Sequence, residues 1–183
     1  MAIRMVVGHN NEAGIRYLLE RGANPSFGPE KYTPDTESMP VLNSGSILNK
    51  AASVCSLEVF ALLLSHGSKL SDEGAIPLHY AAGHPPSQTF RIPMLKYLVD
   101  ELGLDVNSVD DAIAFSTDGR GQMGTPLHYA IECGHVEEVK WLLSRGADPD
   151  LKPSWGISAR DSAKRLPPSH AISALFAEMG PKP

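Results

Sequence analysis

The sequence predicts an all-α fold in which helix pairs repeat along the chain. Three observations carry that prediction. Between Gly124 and Asp150 lie, in order, a start signal, a helix, a break, a second helix and a stop. The run Pro-Leu-His-Tyr-Ala occurs at 77–81 and again at 126–130. The step from Thr125 to Ser158, residues that stand at corresponding helix starts, is 33 residues, one repeat of a helix-pair unit.

The stretch from Gly124 shows how each signal works. Thr125 is suited to the N-cap, because its hydroxyl can accept from the free N–H groups of a first turn. Pro126 follows at the first helical position, where a missing N–H costs nothing. Gly134 breaks the pattern. The second helix opens with Glu137 and Glu138 near its positive end and closes with Arg145 near its negative end. Val136, Val139, Leu142 and Leu143 recur at helical spacing and form one apolar stripe. Gly146 stands where a left-handed C-cap is expected.

Thr125-Pro126-Leu127-His128-Tyr129-Ala130, followed by Gly134-His135 and Gly146-Ala147-Asp148-Pro149, closely resembles an ankyrin repeat. The resemblance implies a solenoid of about five stacked helix-turn-helix units with long inter-repeat loops, in a single domain over 1–183. The expected units are 1–26, 44–70, 74–107, 123–150 and 155–180, with insertions at 27–43, 84–91 and 108–122. The first unit lacks the Thr-Pro-Leu-His run, but Glu12 to Pro25 matches the second helix and exit turn, and Ile3 to Val7 can supply a short first helix. Residues 27–43, with Pro29, Pro34 and Pro40, read as loop. In the second unit Ser46 stands for the capping Thr and Asn49 for the His, and Leu57, Phe60, Leu63 and Leu64 form the stripe. In the third, Ile76 replaces the Thr, removing a cap worth about 1 kcal/mol. Its stripe resumes at Met94, Leu95, Leu98 and Val99 beyond an insert. Asp118-Gly119, a turn pair, suggests an extended finger within 108–123. The fifth unit has Ser158 as cap and a second helix near Ser169 to Met179, carrying Ile172, Leu175 and Phe176.

Composition bounds the function. The chain has 183 residues, 42% hydrophobic, with 16 Lys plus Arg against 21 Asp plus Glu and a net charge of -5. That balance argues against nucleic-acid binding by phosphate neutralisation. No run approaches the roughly 18 apolar residues of a membrane span, and no secretory layout opens the chain. Two cysteines, Cys55 and Cys133, make no disulfide framework and point to a reducing compartment, cytoplasmic or nuclear.

Several residues invite chemistry. His79 and His128 occupy the His of the motif, where the family's ring ties adjacent turns together through backbone hydrogen bonds. His84 and His135 read as turn or cap residues at the starts of second helices. Cys133 and His135 are the nearest approach to a metal or nucleophile pair, and nothing in the sequence completes either. No cofactor, metal or catalytic residue is expected. Trp141 falls in the apolar column of Tyr17, Leu62 and Tyr97 and reads as core, while Tyr80 and Tyr129 read as packing between units. For Trp155, at the tip entering the fifth unit, two readings stay open: an interface anchor, or a ring folded over the end of the stack.

The resemblance implies a non-catalytic protein–protein interaction module, monomeric by itself, that presents hairpin tips and first-helix ends to a partner protein. Position by position, the tips are Asn43, Gly45, Asp72, Glu73, Gln122 and Met123. The helix ends are Ser53, Val54, Glu132 and Cys133, and Trp155 joins them. Asp72, Glu73 and Glu132 would make part of that face acidic and its partner basic or mixed. The rival readings are an adaptor or regulatory subunit of a larger enzyme complex and, more remotely, an enzyme with its site around Asp110 to Arg120.

Overall fold

The computed structural model describes residues 2–28, 30–33, 36–40, 42–72, 74–86, 91–110 and 124–180, with the backbone alone over 30–40. Among the described residues, ten α-helices form pairs: α1 (Ala2–Gly8) with α2 (Glu12–Glu20), α3 (Ser46–Val54) with α4 (Leu57–Ser65), α5 (Pro77–Ala82) with α6 (Ile92–Lys96), α7 (Pro126–Glu132) with α8 (Val136–Ser144), and α9 (Ala159–Ala163) with α10 (Ala171–Glu178). α6 runs on into a π-helical turn, Tyr97–Glu101. The first helices form an inner row in which α3 packs on both α1 and α5, and α7 on both α5 and α9. The architecture is the all-α ankyrin solenoid that the repeated signals imply.

The core runs the length of the stack rather than sitting in one centre. Ile15, Phe60, Leu63, Met94, Leu95, Leu98, Val139, Leu142, Ile172 and Phe176 are buried from the second helices, and Ile47, Leu48, Leu78, Leu127 and Ile131 from the first. A five- or six-residue helix such as α9 or α5 would not hold alone in water. Burial against two neighbours supplies what propensity cannot. Gly146 has φ 87°, the left-handed stop expected after α8, where its N–H and that of Ala147 reach back to Leu143 and Leu142 carbonyls.

The segment at 27–43 departs from the sequence expectation. It is not plain loop: β1 (Glu30–Thr33) and β2 (Thr36–Pro40) pair antiparallel, with Glu30 opposite Pro40 and Thr33 opposite Thr36. Prolines there exclude helix, and Pro40 occupies the end of its strand, where a missing donor is tolerated. The segment shows no alternating apolar pattern because a ribbon that projects from the stack has no core face to advertise. Its base is pinned by the Ser44 N–H donating to the Ser26 carbonyl at 2.8 Å. The other long connection has a pinned base too. The Asp110 N–H donates to the Gly124 carbonyl at 3.2 Å, and Gly124 N–H to Asp110 Oδ1 at 2.9 Å.

Candidate functional site

Three side chains stitch one unit to the next along the inner row. His128 Nε2–H donates to the Ile157 carbonyl at 3.1 Å, and His79 Nε2–H donates to the Ser108 carbonyl at 3.1 Å, each reaching 29 residues ahead. In the second unit Asn49 does the same work. Its Nδ2 donates to the Gly74 carbonyl at 2.7 Å, and its Oδ1 accepts the Ile76 N–H at 2.7 Å. Fixing the Nε2–H tautomer leaves Nδ1 as acceptor. On His128 that atom meets the Thr125 N–H at 3.2 Å and the Thr125 hydroxyl at 2.8 Å. The Thr125 hydroxyl thus meets the ring as part of a capping box, in which it also faces the His128 N–H of the first turn as the sequence implies, while the His128 side chain takes the Thr125 N–H. On His79 the buried Nδ1 has no hydrogen-bond partner among the described residues. Burial holds the His128 pKa below the ordinary histidine value, and takes His79 down to about 4 despite the Asp110 carboxylate and the Ser108 carbonyl nearby.

Asp110 is itself buried beside this column. Its Oδ2 accepts the Tyr129 hydroxyl at 2.6 Å, and the Tyr129 ring lies edge-on to His79 with centroids 5.2 Å apart. Tyr80 and Tyr129 pack between units as expected, with ring centroids 6.5 Å apart. The Trp141 column is less buried than a core column. Trp141, Leu62 and Tyr97 are partly covered, and Tyr17 is exposed. That column lies on the outward flank of the second helices, where long side chains cover rather than fill.

A second cluster lies between the third and fourth units, and sequence spacing alone did not show it. The rings of His84 and His135 stack at 3.8 Å, 8° from parallel. His84 Nε2 lies 3.3 Å from Glu138 Oε1, and both residues are buried. His135 Nε2–H donates to the His84 carbonyl at 2.8 Å, while His84 Nδ1 faces the Pro85 carbonyl at 3.0 Å. The Arg91 N–H also donates to Glu138 Oε1, at 2.9 Å. Burial pushes the Glu138 pKa up, but these hydrogen bonds outweigh it and hold the carboxyl below its ordinary range. His135 occupies the N-cap position of α8 but makes no side-chain capping bond, so its expected cap role gives way to the stack. The signal that could have found the cluster is Glu138 itself. It is the third residue after the N-cap of α8, a place filled by buried Val59 in α4 and Met94 in α6. Arg91 adds a further tie: its guanidinium donates to the Ala52 carbonyl at 2.6 Å and the Cys55 carbonyl at 2.6 Å, capping the end of α3.

The residues expected to meet a partner fall into three groups. Gly45, Ser53, Val54 and Asp72 are buried, which corrects their assignment to an outer face. Gly45 is glycine because a Cβ there would collide with the Ala75 backbone. Ser53 donates to the Lys50 carbonyl at 2.8 Å, and it and Val54 are covered because α3 is flanked by α1 and α5. Asp72 accepts from the Ser26 hydroxyl at 2.8 Å and the Lys69 N–H at 2.9 Å, so its charge is spent inside the fold. Glu73, Gln122 and Met123 lie outside the described residues. Asn43 and Glu132 are exposed, while Cys133 and Trp155 are partly covered. Asn43 also adopts a positive φ of 55° at the foot of the β1–β2 ribbon.

No nucleophile–base pair forms from the tempting residues. Cys133 Sγ lies 3.7 Å from the Gly83 carbonyl, and His135 Nε2 is committed to the His84 carbonyl. The Cys55 thiol is buried, which pushes its pKa up to about 11 and keeps it unreactive. An open groove of about 460 Å³ along α9 and α10 is lined by Arg160, Lys164, Leu166 and Phe176 among others, with no carboxylate or imidazole in its wall.

The family model described as ankyrin repeats in many copies matches residues 110–163. The chain is an ankyrin-repeat protein, in keeping with stacked helix pairs tied by Pro-Leu-His turns. It is similar to the ankyrin repeat protein nuc-2 of Neurospora crassa, with 32% identity over 136 residues, 73% of this chain and 10% of that protein. It is also similar to the E3 ubiquitin-protein ligase hecd-1 of Caenorhabditis elegans, with 40% identity over 73 residues, 40% of this chain and 2% of that protein. A third relative is the human transient receptor potential cation channel subfamily A member 1, with 36% identity over 76 residues, 41% of this chain and 6% of that protein. The chain thus spans a tenth or less of the length of each of these relatives. Ankyrin repeats as a family bind protein partners and are generally non-catalytic. Among the described residues, no helix is long and apolar enough to cross a membrane.

Proposed function

We propose that this chain is a non-catalytic protein-interaction module that grips its partner along the edge where the inter-unit connections leave the stack. The observation that carries this reading is that three of the six exposed large apolar side chains among the described residues flank these connections, the others being Met5, Tyr17 and Met179 on or at the ends of helices. Among the described residues, Phe27 (39% exposed) and Leu42 (62%) flank the β1–β2 ribbon, and Val109 (38%) flanks the base at Asp110. First-helix ends contribute little. Pro77–Ala82 and Pro126–Ile131 are buried throughout, and on α7 only Glu132 is exposed. Exposed apolar groups on a rigid edge bury area on binding with little ordering cost. Asn43 and Trp155 lie at connections along the same solenoid. Of the acidic face anticipated from Asp72, Glu73 and Glu132, the Asp72 carboxylate is internal and Glu132 is exposed, so the partner is expected to be chiefly apolar at its contact.

The units at 1–26, 44–70, 74–107, 123–150 and 155–180 act in this reading as one domain, monomeric, working in cytoplasm or nucleus without nucleic acid or membrane. Its test is capture from the source cell with Leu42→Ser, Phe27→Ser and Trp155→Ala variants, each first shown to keep its helical circular dichroism. Loss of the captured protein with Leu42→Ser supports the edge. Capture undiminished in all three sinks it. The length of the relatives favours a second reading, a recruiting or regulatory element inside a larger assembly. Co-purification of the partner with an enzyme activity separates that reading from a free-standing binder.

A further inference from the structure

We propose that His84, His135 and Glu138 form a site for one divalent transition-metal cation of the zinc class, held between the third and fourth units. A carboxylate stands in a core column otherwise occupied by Val59 and Met94, and at 2% exposure it needs a positive partner there. Two of the ring protons point away from it. His84 Nδ1–H is directed at the Pro85 carbonyl, and His135 Nε2–H at the His84 carbonyl. An entering ion would displace the His84 Nε2 proton that bridges to Glu138 Oε1 at 3.3 Å, freeing that lone pair, with His135 Nδ1 as the third donor. One ligand atom from each of the three residues lies within 4.8 Å of the others. Backbone carbonyls that fix the second ring nitrogen are the outer contacts by which metal-binding histidines are oriented. The Arg91 N–H similarly holds Glu138 Oε1. The 3.3 Å from His84 Nε2 to Glu138 Oε1 matches the roughly 3.3 Å edge between two ligands about 2.0–2.1 Å from a tetrahedral zinc.

The stack sets one condition. Two parallel rings 3.8 Å apart cannot both aim in-plane lone pairs at one ion, so the half-buried His135 ring turns off its stack as the ion enters. The competing occupant is a proton. A doubly protonated His84 satisfies Glu138 and Pro85 but uses nothing of His135 Nδ1, whereas a metal uses all three ligands. Three protein ligands leave a fourth position to water.

The test is titration of the tag-free protein with Co²⁺, read by visible absorption, and with Zn²⁺ in competition with a chromophoric chelator. One equivalent with tetrahedral d–d bands is expected. Glu138→Val, the residue of the same column in α4, and His135→Gln should each weaken it at least tenfold while helical circular dichroism persists. Glu138→Gln, which keeps the side-chain shape, should weaken it likewise. Absence of a stoichiometric site in the wild type overturns the proposal and leaves the cluster a proton-bridged contact. So does affinity unchanged in all three variants, which would place the metal on exposed histidines.

Discussion

The third and fourth units share the pentapeptide Pro-Leu-His-Tyr-Ala, yet they tie off its first turn in different ways. At Pro126–Ala130 the preceding Thr125 gives His128 Nδ1 two donors, and Nε2–H reaches Ile157. Every polar atom of that ring is used. At Pro77–Ala81 the preceding residue is Ile76, whose N–H goes back to Asn49 of the second unit, and His79 Nδ1 has no hydrogen-bond partner among the described residues. The long-range tie is the same 3.1 Å bond in both. The difference teaches that this motif histidine has two separable tasks. Linking to the next unit survives the loss of the cap, while bracing its own helix does not.

The largest effect expected from this comparison is on His128→Ala, at about 3–4 kcal/mol. That change opens a cavity and strands the Thr125 donors and the Ile157 carbonyl together. His79→Ala strands only the Ser108 carbonyl and should cost about 2 kcal/mol. Urea denaturation of both variants checks the order, and equal losses would erase the distinction between the two turns.

Next in size is acid sensitivity. Burial keeps the His128 and His79 pKa values below the unfolded value of about 6.5, with His79 near 4. Their stabilising contribution is therefore complete above about pH 6.5. It falls as the pH drops toward 4, because the unfolded chain takes up protons that the native rings refuse. The urea midpoint should be lower at pH 5 than at pH 7, and His79→Gln should show a smaller drop than the parent. A midpoint independent of pH would mean the rings are not held neutral.

The smallest effects sharpen the cap itself. Thr125→Val should cost about 1 kcal/mol by removing the hydroxyl from His128. Ile76→Thr should return a fraction of that to the third unit by giving His79 Nδ1 a donor, raising the melting temperature by about 2 °C. No gain from Ile76→Thr would show that the apolar contacts of Ile76 outweigh the missing bond.

The repeat order, the helix pairs and their apolar stripes were legible because each rests on local signals: caps, prolines, glycines and 3.6-residue spacing. Ser158 caps the last unit as expected, its hydroxyl accepting the Asp161 N–H at 3.2 Å. The ribbon at 30–40 was not legible, because a projecting hairpin needs no apolar alternation. Nor was the burial of Asp72 and Gly45. Their partners, Ser26 and Ala75, come from adjoining units and connections, and a column of tip positions cannot reveal such contacts.

By itself, the sequence determined that this chain is a stack of ankyrin-type helix pairs, since capping and periodicity act over a few residues and repeat at a constant step. Only the tertiary structure decided what those repeats bring together. His84 meets His135 and Glu138 across about fifty residues because stacking places equivalent positions of neighbouring units side by side. The same stacking decides which tip residues keep their charge in water and which bury it in the neighbour.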